Sequence, residues 1–225
     1  MAIILHLETA TKVCSVALSR EGKQIALKEI EEEGYSHGEN LTLIIQELIN
    51  EAGLSMKDLS AVSVASGPGS YTGLRIGVSA AKGLCFANDI PLIALETLHS
   101  LATSININNG YIVPMLDARR MEVYSAVYNI DYSQQREIQA EIINEESFVT
   151  LLENNEVHFL GDGANKCKDA ITSENAIFHD HKFPSSREML KLSYTKFKEN
   201  QFEDVAYFEP FYLKDFVVTP EKKKV

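Results

Sequence analysis

Cationic residues are scarce in this sequence: 21 Lys and Arg stand against 32 Asp and Glu, for a formal net charge of -11. Such a surface repels phosphate backbones at long range, which disfavours independent binding of nucleic acid. The one basic run, Lys222 to Lys224, reads as a solvated tail. Cysteine is also sparse. Cys14, Cys85 and Cys167 lie far apart, no Cys-x-x-Cys occurs, and an odd count does not make a disulfide framework. A reduced, cytoplasmic protein is the expectation. Long apolar runs are missing, because Arg75 and Lys82 interrupt the stretch after Gly73; no membrane span is expected. The apolar start has neither a basic leader nor a small-residue cleavage site, so Ala2 to Leu7 reads as a buried strand. Twelve Gly and six Pro in 225 residues do not suggest disorder, and 45% hydrophobic content suffices for one large domain or two small lobes.

Several chemical signatures are absent as well. A metal-binding His-x-x-x-His helix needs two imidazoles on one face, but Leu41 stands four residues after His37. His179-Asp180-His181 is a close pair without a clear third ligand. His6, His99 and His158 lie in or beside apolar runs and read as satisfied core histidines. Ser70 lacks the Gly-x-Ser-x-Gly spacing of a nucleophile elbow, since Tyr71-Thr72 separates it from Gly73. No second convincing phosphate loop accompanies the first Gly-rich run, because Gly161-Asp162-Gly163 is short. We therefore assign no catalytic residue and no metal ligand.

What is present reads as alternating strands and helices. Ile3–Leu7, Val13–Ser19 and Gln24–Ile30 form a meander with short connections. Leu41, Ile44, Ile45, Leu48, Ile49 and Ala52 make a broad apolar stripe on a helix that stops at Gly53. The run Glu29 to Glu33 reads as a solvated acidic edge. A buried strand follows over Ala61–Ser66, then a helix over about Thr72–Phe86, a strand ending near Leu95, and a third helix capped by Thr97. The Asn-rich stretch Ser104–Gly110 is the linker candidate. Beyond it, Tyr111–Leu116, Glu122–Tyr128, Arg136–Ile142 and Val157–Leu160 read as strands, and Glu145–Leu152 and Ser186–Lys198 as helices. This pattern predicts an α/β protein of two lobes, residues 1–103 and 110–200, followed by an extension, 201–225, that turns back to the first lobe.

The sharpest local signal is Gly67-Pro68-Gly69-Ser70-Tyr71-Thr72-Gly73-Leu74-Arg75-Ile76-Gly77, at a strand-turn-helix junction. Gly67 and Gly69 permit positive φ or close approach, and Ser70 or Thr72 can cap the helix. One reading is an anion cradle at the helix N-terminus; no Gly-Lys-Ser/Thr follows, so it is not a Walker loop. The other is close packing. Gly73 and Gly77 are four apart, with Ala80 and Ala81 nearby, and each interior Gly costs about 1 kcal/mol relative to Ala. A closely packed neighbour along that ridge would offset the cost.

That junction resembles the signature of the TsaB (YeaZ) family, within the glycoprotease-like TsaD/Kae1 superfamily. Further segments match in order: Leu7-Glu8-Thr9-Ala10, Cys14-Ser15-Val16-Ala17-Leu18, His37, Asp117-Ala118-Arg119-Arg120-Met121-Glu122-Val123-Tyr124, Gly161-Asp162-Gly163 and Pro210-Phe211-Tyr212-Leu213. The resemblance implies an actin-like/Hsp70/sugar-kinase (ribonuclease H-like) architecture. It implies a non-catalytic subunit for threonylcarbamoyladenosine formation on tRNA, partnered by a TsaD-like transferase and a TsaE-like ATPase. The acidic charge leaves contact with tRNA to the partner, and an uncovered apolar helix face is expected to form a homodimer in isolation. The family's partner-binding elements correspond here to Leu41, Ile45, Gly69, Tyr71, Thr72, Gly73, Arg75, Gly77 and Ala80. A nucleotide turn would fall on Glu8, Thr9, Gly67 and Gly69, with weak ATP or ADP at a partner interface and no resident cofactor. The family usually has Asp-Thr-Ser where this chain has Glu8-Thr9-Ala10, which weakens that turn. The rival reading is an enzyme: a glycoprotease-type peptidase or a small-molecule kinase of the same fold. Asp117, Arg119 and Arg120 suit a contact with a partner or a nucleotide, or equally a solvated hairpin.

Overall fold

The computed structural model describes residues 1–31, 37–180 and 182–214. Glu32, Glu33, His181, the side chain of His37 and the Lys222–Lys224 run lie outside the described parts.

The first sheet is ordered β3-β2-β1-β4-β5. It comprises β1 (Ile3–Glu8), β2 (Val13–Arg20), β3 (Lys23–Glu31), β4 (Ala61–Gly67) and β5 (Leu92–Glu96). The first three strands run antiparallel as a meander, and β4 and β5 join parallel to β1. Every residue of β1 and β4 is buried, as expected of strands covered on both faces. Alternate residues serve different layers. Ile3, Leu5 and Leu7 meet α1 (His37–Glu51) and α2 (Tyr71–Asn88), whose stripe residues Leu41, Ile44, Ile45, Leu48 and Val78 share their core. Ile4 and His6 face the opposite layer.

That opposite layer corrects the lobe boundary expected at residue 200. Helix α5 (Ser186–Lys198) follows the second lobe in sequence but packs on the first sheet. Tyr194 and Phe197 cover Ile4, Ala61 and Ile93. The Nε2 of His6 meets Ser19 Oγ at 2.7 Å and its Nδ1 meets Ser193 Oγ at 3.1 Å. Ser15 Oγ lies 2.6 Å from Ser186 Oγ.

The second sheet repeats the topology, with order β10-β9-β6-β7-β8. Its strands are β6 (Tyr111–Asp117), β7 (Glu122–Tyr128), β8 (Gln134–Ile142), β9 (Val157–Leu160) and β10 (Ala176–His179). Again three strands form an antiparallel meander and two add in parallel. Helix α3 (Thr97–Ala102) lies between the lobes. Its Leu98, Leu101 and Ala102 enter the core with Ile112, Leu116 and Tyr128, while the helix also contacts β4, β5 and α5. Each such fully buried aliphatic side chain contributes about 1.5–3 kcal/mol.

Two local expectations change. Thr97 opens α3 rather than capping it, since Glu96 occupies the cap position and the Thr97 hydroxyl is buried without a partner. The helix expected over Glu145–Leu152 shrinks to α4 (Val149–Leu152), because Asn144 Oδ1 accepts from Glu146 N and holds Glu145–Ser147 in a turn. Strand β10 was not foreseen.

Residues 203–214 run back along the first lobe. Glu203 N donates to Leu92 O at 2.9 Å and Phe211 N to Ser66 O at 2.7 Å. Lys82 Nζ donates to the carbonyl oxygens of Ala206 and Phe208, at 3.1 and 2.9 Å. The segment then reaches the second lobe, where Lys214 pairs with Glu122.

Candidate functional site

The glycine-rich junction joins β4 to α2, and its close approaches are made inside the chain. Ser70 Oγ accepts from Gly73 N at 3.2 Å and caps α2. Gly69 lies so near the β1–β2 turn that a Cβ there would stand 2.5 Å from Ala10 O, and Ser70 N donates to that same oxygen at 2.7 Å. Gly67 has φ +110°, and a Cβ on it would stand 2.7 Å from Phe211 O. Gly73 and Gly77 are both buried against Thr9; a Cβ at Gly73 would overlap the Thr9 carbonyl oxygen, and one at Gly77 the Thr9 hydroxyl.

This corrects the expected ridge. The Gly73/Gly77 face packs closely, but its neighbour is the turn after β1, and neither glycine is open to another molecule. Leu41 is also core, at 1% exposure. Ile45 and Ala80 lie instead on the floor of an open groove between α1 and α2, with a volume of about 550 Å³. Ile49 and Leu84 complete its apolar floor, and Leu54 and Met56 lie at one end. Thr42, Gln46, Asn50 and Ser79 supply a polar rim. Gly83 lines the groove and is open outward, since a Cβ there would meet nothing within 4 Å. Sequence reasoning missed Gly83. Its signal was the spacing of Ser79, Gly83 and Ala87, which places three small exposed residues on one stripe of α2.

Thr72 and Arg75 are exposed and Tyr71 half-buried, at the N-terminal end of α2. The Arg75 guanidinium lies 4.4 Å from the Tyr71 ring centre, and its Nε donates to Tyr212 Oη at 3.3 Å. Tyr71 and Tyr212 are 5.0 Å apart between ring centres. These residues hold the returning C-terminal segment.

Of the four residues of the expected nucleotide turn, Glu8, Thr9 and Gly67 are buried and Gly69 is half-buried. Thr9 is fully buried and its hydroxyl donates to Gly73 O at 2.8 Å. Glu8 is fully buried; its Oε1 accepts from Ala10 N at 2.7 Å and its Oε2 has no partner. Burial, with a smaller contribution from the Glu188 charge, pushes the Glu8 carboxyl up to about 7. Gly67 and Gly69 are capped by Phe211 O and Ala10 O.

The histidines are dispersed. His6 joins two buried serines, and burial lowers its pKa to about 3. His99 stacks on Tyr128 at 5.3 Å. His158 Nδ1 meets His179 Nε2 at 3.0 Å, across β9 and β10. Among the described residues no three His, Cys, Asp or Glu side chains are grouped to hold a metal ion, and no helix is long and apolar enough to cross a membrane.

The β6–β7 hairpin forms a second cluster. Asp117 N donates to Asp162 Oδ1 at 3.1 Å, and Lys166 pairs with the Asp117 carboxylate. Burial raises the Asp162 pKa. Arg119 and Arg120 take φ +73° and +52°, the left-handed region.

Comparison with known proteins adds the ancestry. The family described as tRNA N6-adenosine threonylcarbamoyltransferase (TsaD) matches residues 31–221. The tRNA threonylcarbamoyladenosine biosynthesis protein TsaB of Escherichia coli is 30% identical, with 95% of each chain covered. The protein of the same name from Haemophilus influenzae is 29% identical, over 95% of this chain and 94% of that one. Among solved structures, YeaZ from Pseudomonas aeruginosa superposes with a TM-score of 0.79 at 25% identity, covering 95% of this chain and all of that one.

Proposed function

Because this chain belongs to the TsaB branch of the TsaD threonylcarbamoyltransferase family, whose members serve the biosynthesis of threonylcarbamoyladenosine on tRNA, we propose that it does so without chemistry of its own, by docking a TsaD-like transferase along the groove between α1 and α2. One observation carries this reading: the groove has an apolar floor of Ile45, Ile49, Ala80 and Leu84, a polar rim, and an open glycine on its wall. An apolar floor inside a polar rim fits a protein contact. The bare Gly83 backbone lets a facing helix come close.

The non-catalytic role is supported by the state of the turn after β1. Glu8 is sealed and keeps a proton up to about pH 7, and the Thr9 hydroxyl is engaged with Gly73. Neither is placed to attend a phosphate. In this reading the lone chain holds no cofactor, ATP or ADP is met only at the partner interface, and a TsaE-like ATPase joins the assembly. The transferase brings the tRNA, since a net charge of -11 opposes its capture by this chain. Without a partner, the groove is covered by a second copy. The three cysteines are buried and joined in no disulfide, which favours a reducing cytoplasm.

Co-purification with a TsaD-like protein tests the reading. Wild type should be retained and Gly83→Phe lost, while the lone wild-type chain shows no ATPase or peptidase turnover. Robust turnover by the lone chain, or full retention of Gly83→Phe, would overturn it.

A further inference from the structure

The Arg119–Arg120 turn is the feature that the docking groove leaves unexplained. It projects from the second lobe of a strongly acidic molecule, and both side chains are exposed. Each residue has a left-handed backbone, which Gly or Asn adopts at lower cost. Among the described residues neither guanidinium has an ion pair or a hydrogen bond. The nearby acids are already neutralised: Asp117 by Lys166, Glu122 by Lys214. Asp162 is half-buried beside the hairpin, its Oδ1 accepting from Asp117 N, and desolvation raises its carboxyl pKa. Two uncompensated cations therefore stand together at one hairpin tip.

The surroundings continue in the same chemistry. Tyr124 lies within electrostatic reach of Arg119, Lys214 and Glu122. From Lys214 the chain leads back two residues to Tyr212, which joins Tyr71 and Arg75 on the first lobe. Planar cations interleaved with aromatic faces, spanning both lobes, match the way proteins hold nucleic-acid backbone and unstacked bases. Guanidinium groups also bind phosphate oxygens bidentately.

We propose that the Arg119–Arg120 turn binds backbone phosphates of the RNA held by the assembly, adding a local attraction that the whole-chain charge conceals. The proposal rests on the functional reading above for the identity of that assembly. The net charge still prevents the lone chain from recruiting RNA from a distance; the turn engages RNA that a partner has already brought close.

The test is a fluorescence-anisotropy titration of labelled tRNA against the assembled complex over a series of salt concentrations, using wild type and the double variant Arg119→Asn with Arg120→Gly. Asn and Gly suit the left-handed backbone, so the variant should melt no lower than wild type and be retained equally by the transferase. Its RNA affinity should fall on the order of tenfold, and the slope of log affinity against log salt should shrink by about two, one for each phosphate no longer neutralised. Unchanged affinity and slope would overturn the proposal. Failure of the transferase to retain the variant would instead assign the arginines to the protein interface and overturn it too. So would an affinity for ATP, titrated in place of tRNA, that falls while that for tRNA does not. A parallel titration of the lone chain at low ionic strength separates the two readings. Arginine-dependent RNA binding there, with no complex formed by wild type, would remove the functional reading and keep this one. No arginine dependence in either arm would remove this one.

Discussion

The hydroxyl of Thr9 donates to the carbonyl oxygen of Gly73 at 2.8 Å, locking the turn after the first strand onto the first turn of α2. One helical turn further on, Gly77 leaves room for that same hydroxyl. Gly73 and Gly77 are thus explained by one threonine, 64 residues before the first of them. Their role is to let a β-turn lie against a helix backbone, and their cost in helix propensity is offset by that hydrogen bond and close packing.

Gly77→Ala should therefore destabilise the fold by about 1–3 kcal/mol through overpacking. Urea unfolding measures it. Adding Thr9→Ala removes the atom that the new methyl meets, so the two substitutions should be clearly non-additive. Strict additivity would show that Thr9 and Gly77 do not constrain one another.

Gly83→Ala should act in the opposite direction. A Cβ there meets nothing within 4 Å, so the gain is the helix propensity of Ala over Gly, about 0.5–1 kcal/mol. A calorimetric melt should show a rise of a few degrees. Destabilisation would mean that the groove wall is closer than described.

Two buried groups set opposing pH dependences. The His6 pKa is depressed to about 3 from 6.5, so below pH 6.5 the unfolded chain takes up a proton that the fold refuses. Its stabilising contribution is lost as pH falls from 6.5 towards 3. The Glu8 pKa is raised from 4.5 to about 7, so its contribution is present below pH 4.5 and is lost as pH rises towards 7. Between 4.5 and 6.5 the two slopes cancel. Glu8→Gln should remove the second slope, raise stability at neutral pH and expose the His6 dependence as a steeper acid limb in denaturant midpoints. An unchanged profile would show that Glu8 titrates alike in both states.

Lys82→Met should loosen the returning segment. It removes the hydrogen bonds to the carbonyl oxygens of Ala206 and Phe208, each worth roughly 1 kcal/mol. Limited proteolysis between residues 203 and 212 should accelerate severalfold while the lobes remain folded. Equal cleavage rates would refute the tether.

Much of this arrangement was legible in the sequence. The 3.6-residue stripe from Leu41 to Ala52 and the apolar run of β4 depend on local spacing, and both elements stand where the pattern puts them. The hidden parts depend on partners distant in sequence. The spacing of Gly73 and Gly77 indicated a close neighbour but not that Thr9 supplies it. Amphipathic α5 indicated an apolar partner but not which sheet. Ser186 and Ser193 look solvent-facing by type, yet both are fully buried by hydrogen bonding to Ser15 and His6. Strand β10 is short and half-buried throughout, so no alternation marks it. Within the groove, Ile45 and Ile49 were visible as an apolar stripe, but the gap that α1 and α2 leave above them is a tertiary feature that no local pattern encodes.

The placement of α5 has a consequence during synthesis. A ribosome that has completed the first sheet has released a layer with one apolar side bare, including Ile4, Ala61 and Ile93, and its cover is not translated until about ninety residues later. The first lobe of the nascent chain is therefore an incomplete folding unit, open to chaperones while the second lobe emerges. Truncated translation products ending before Ser186 should be cleared rather than accumulate as a stable half.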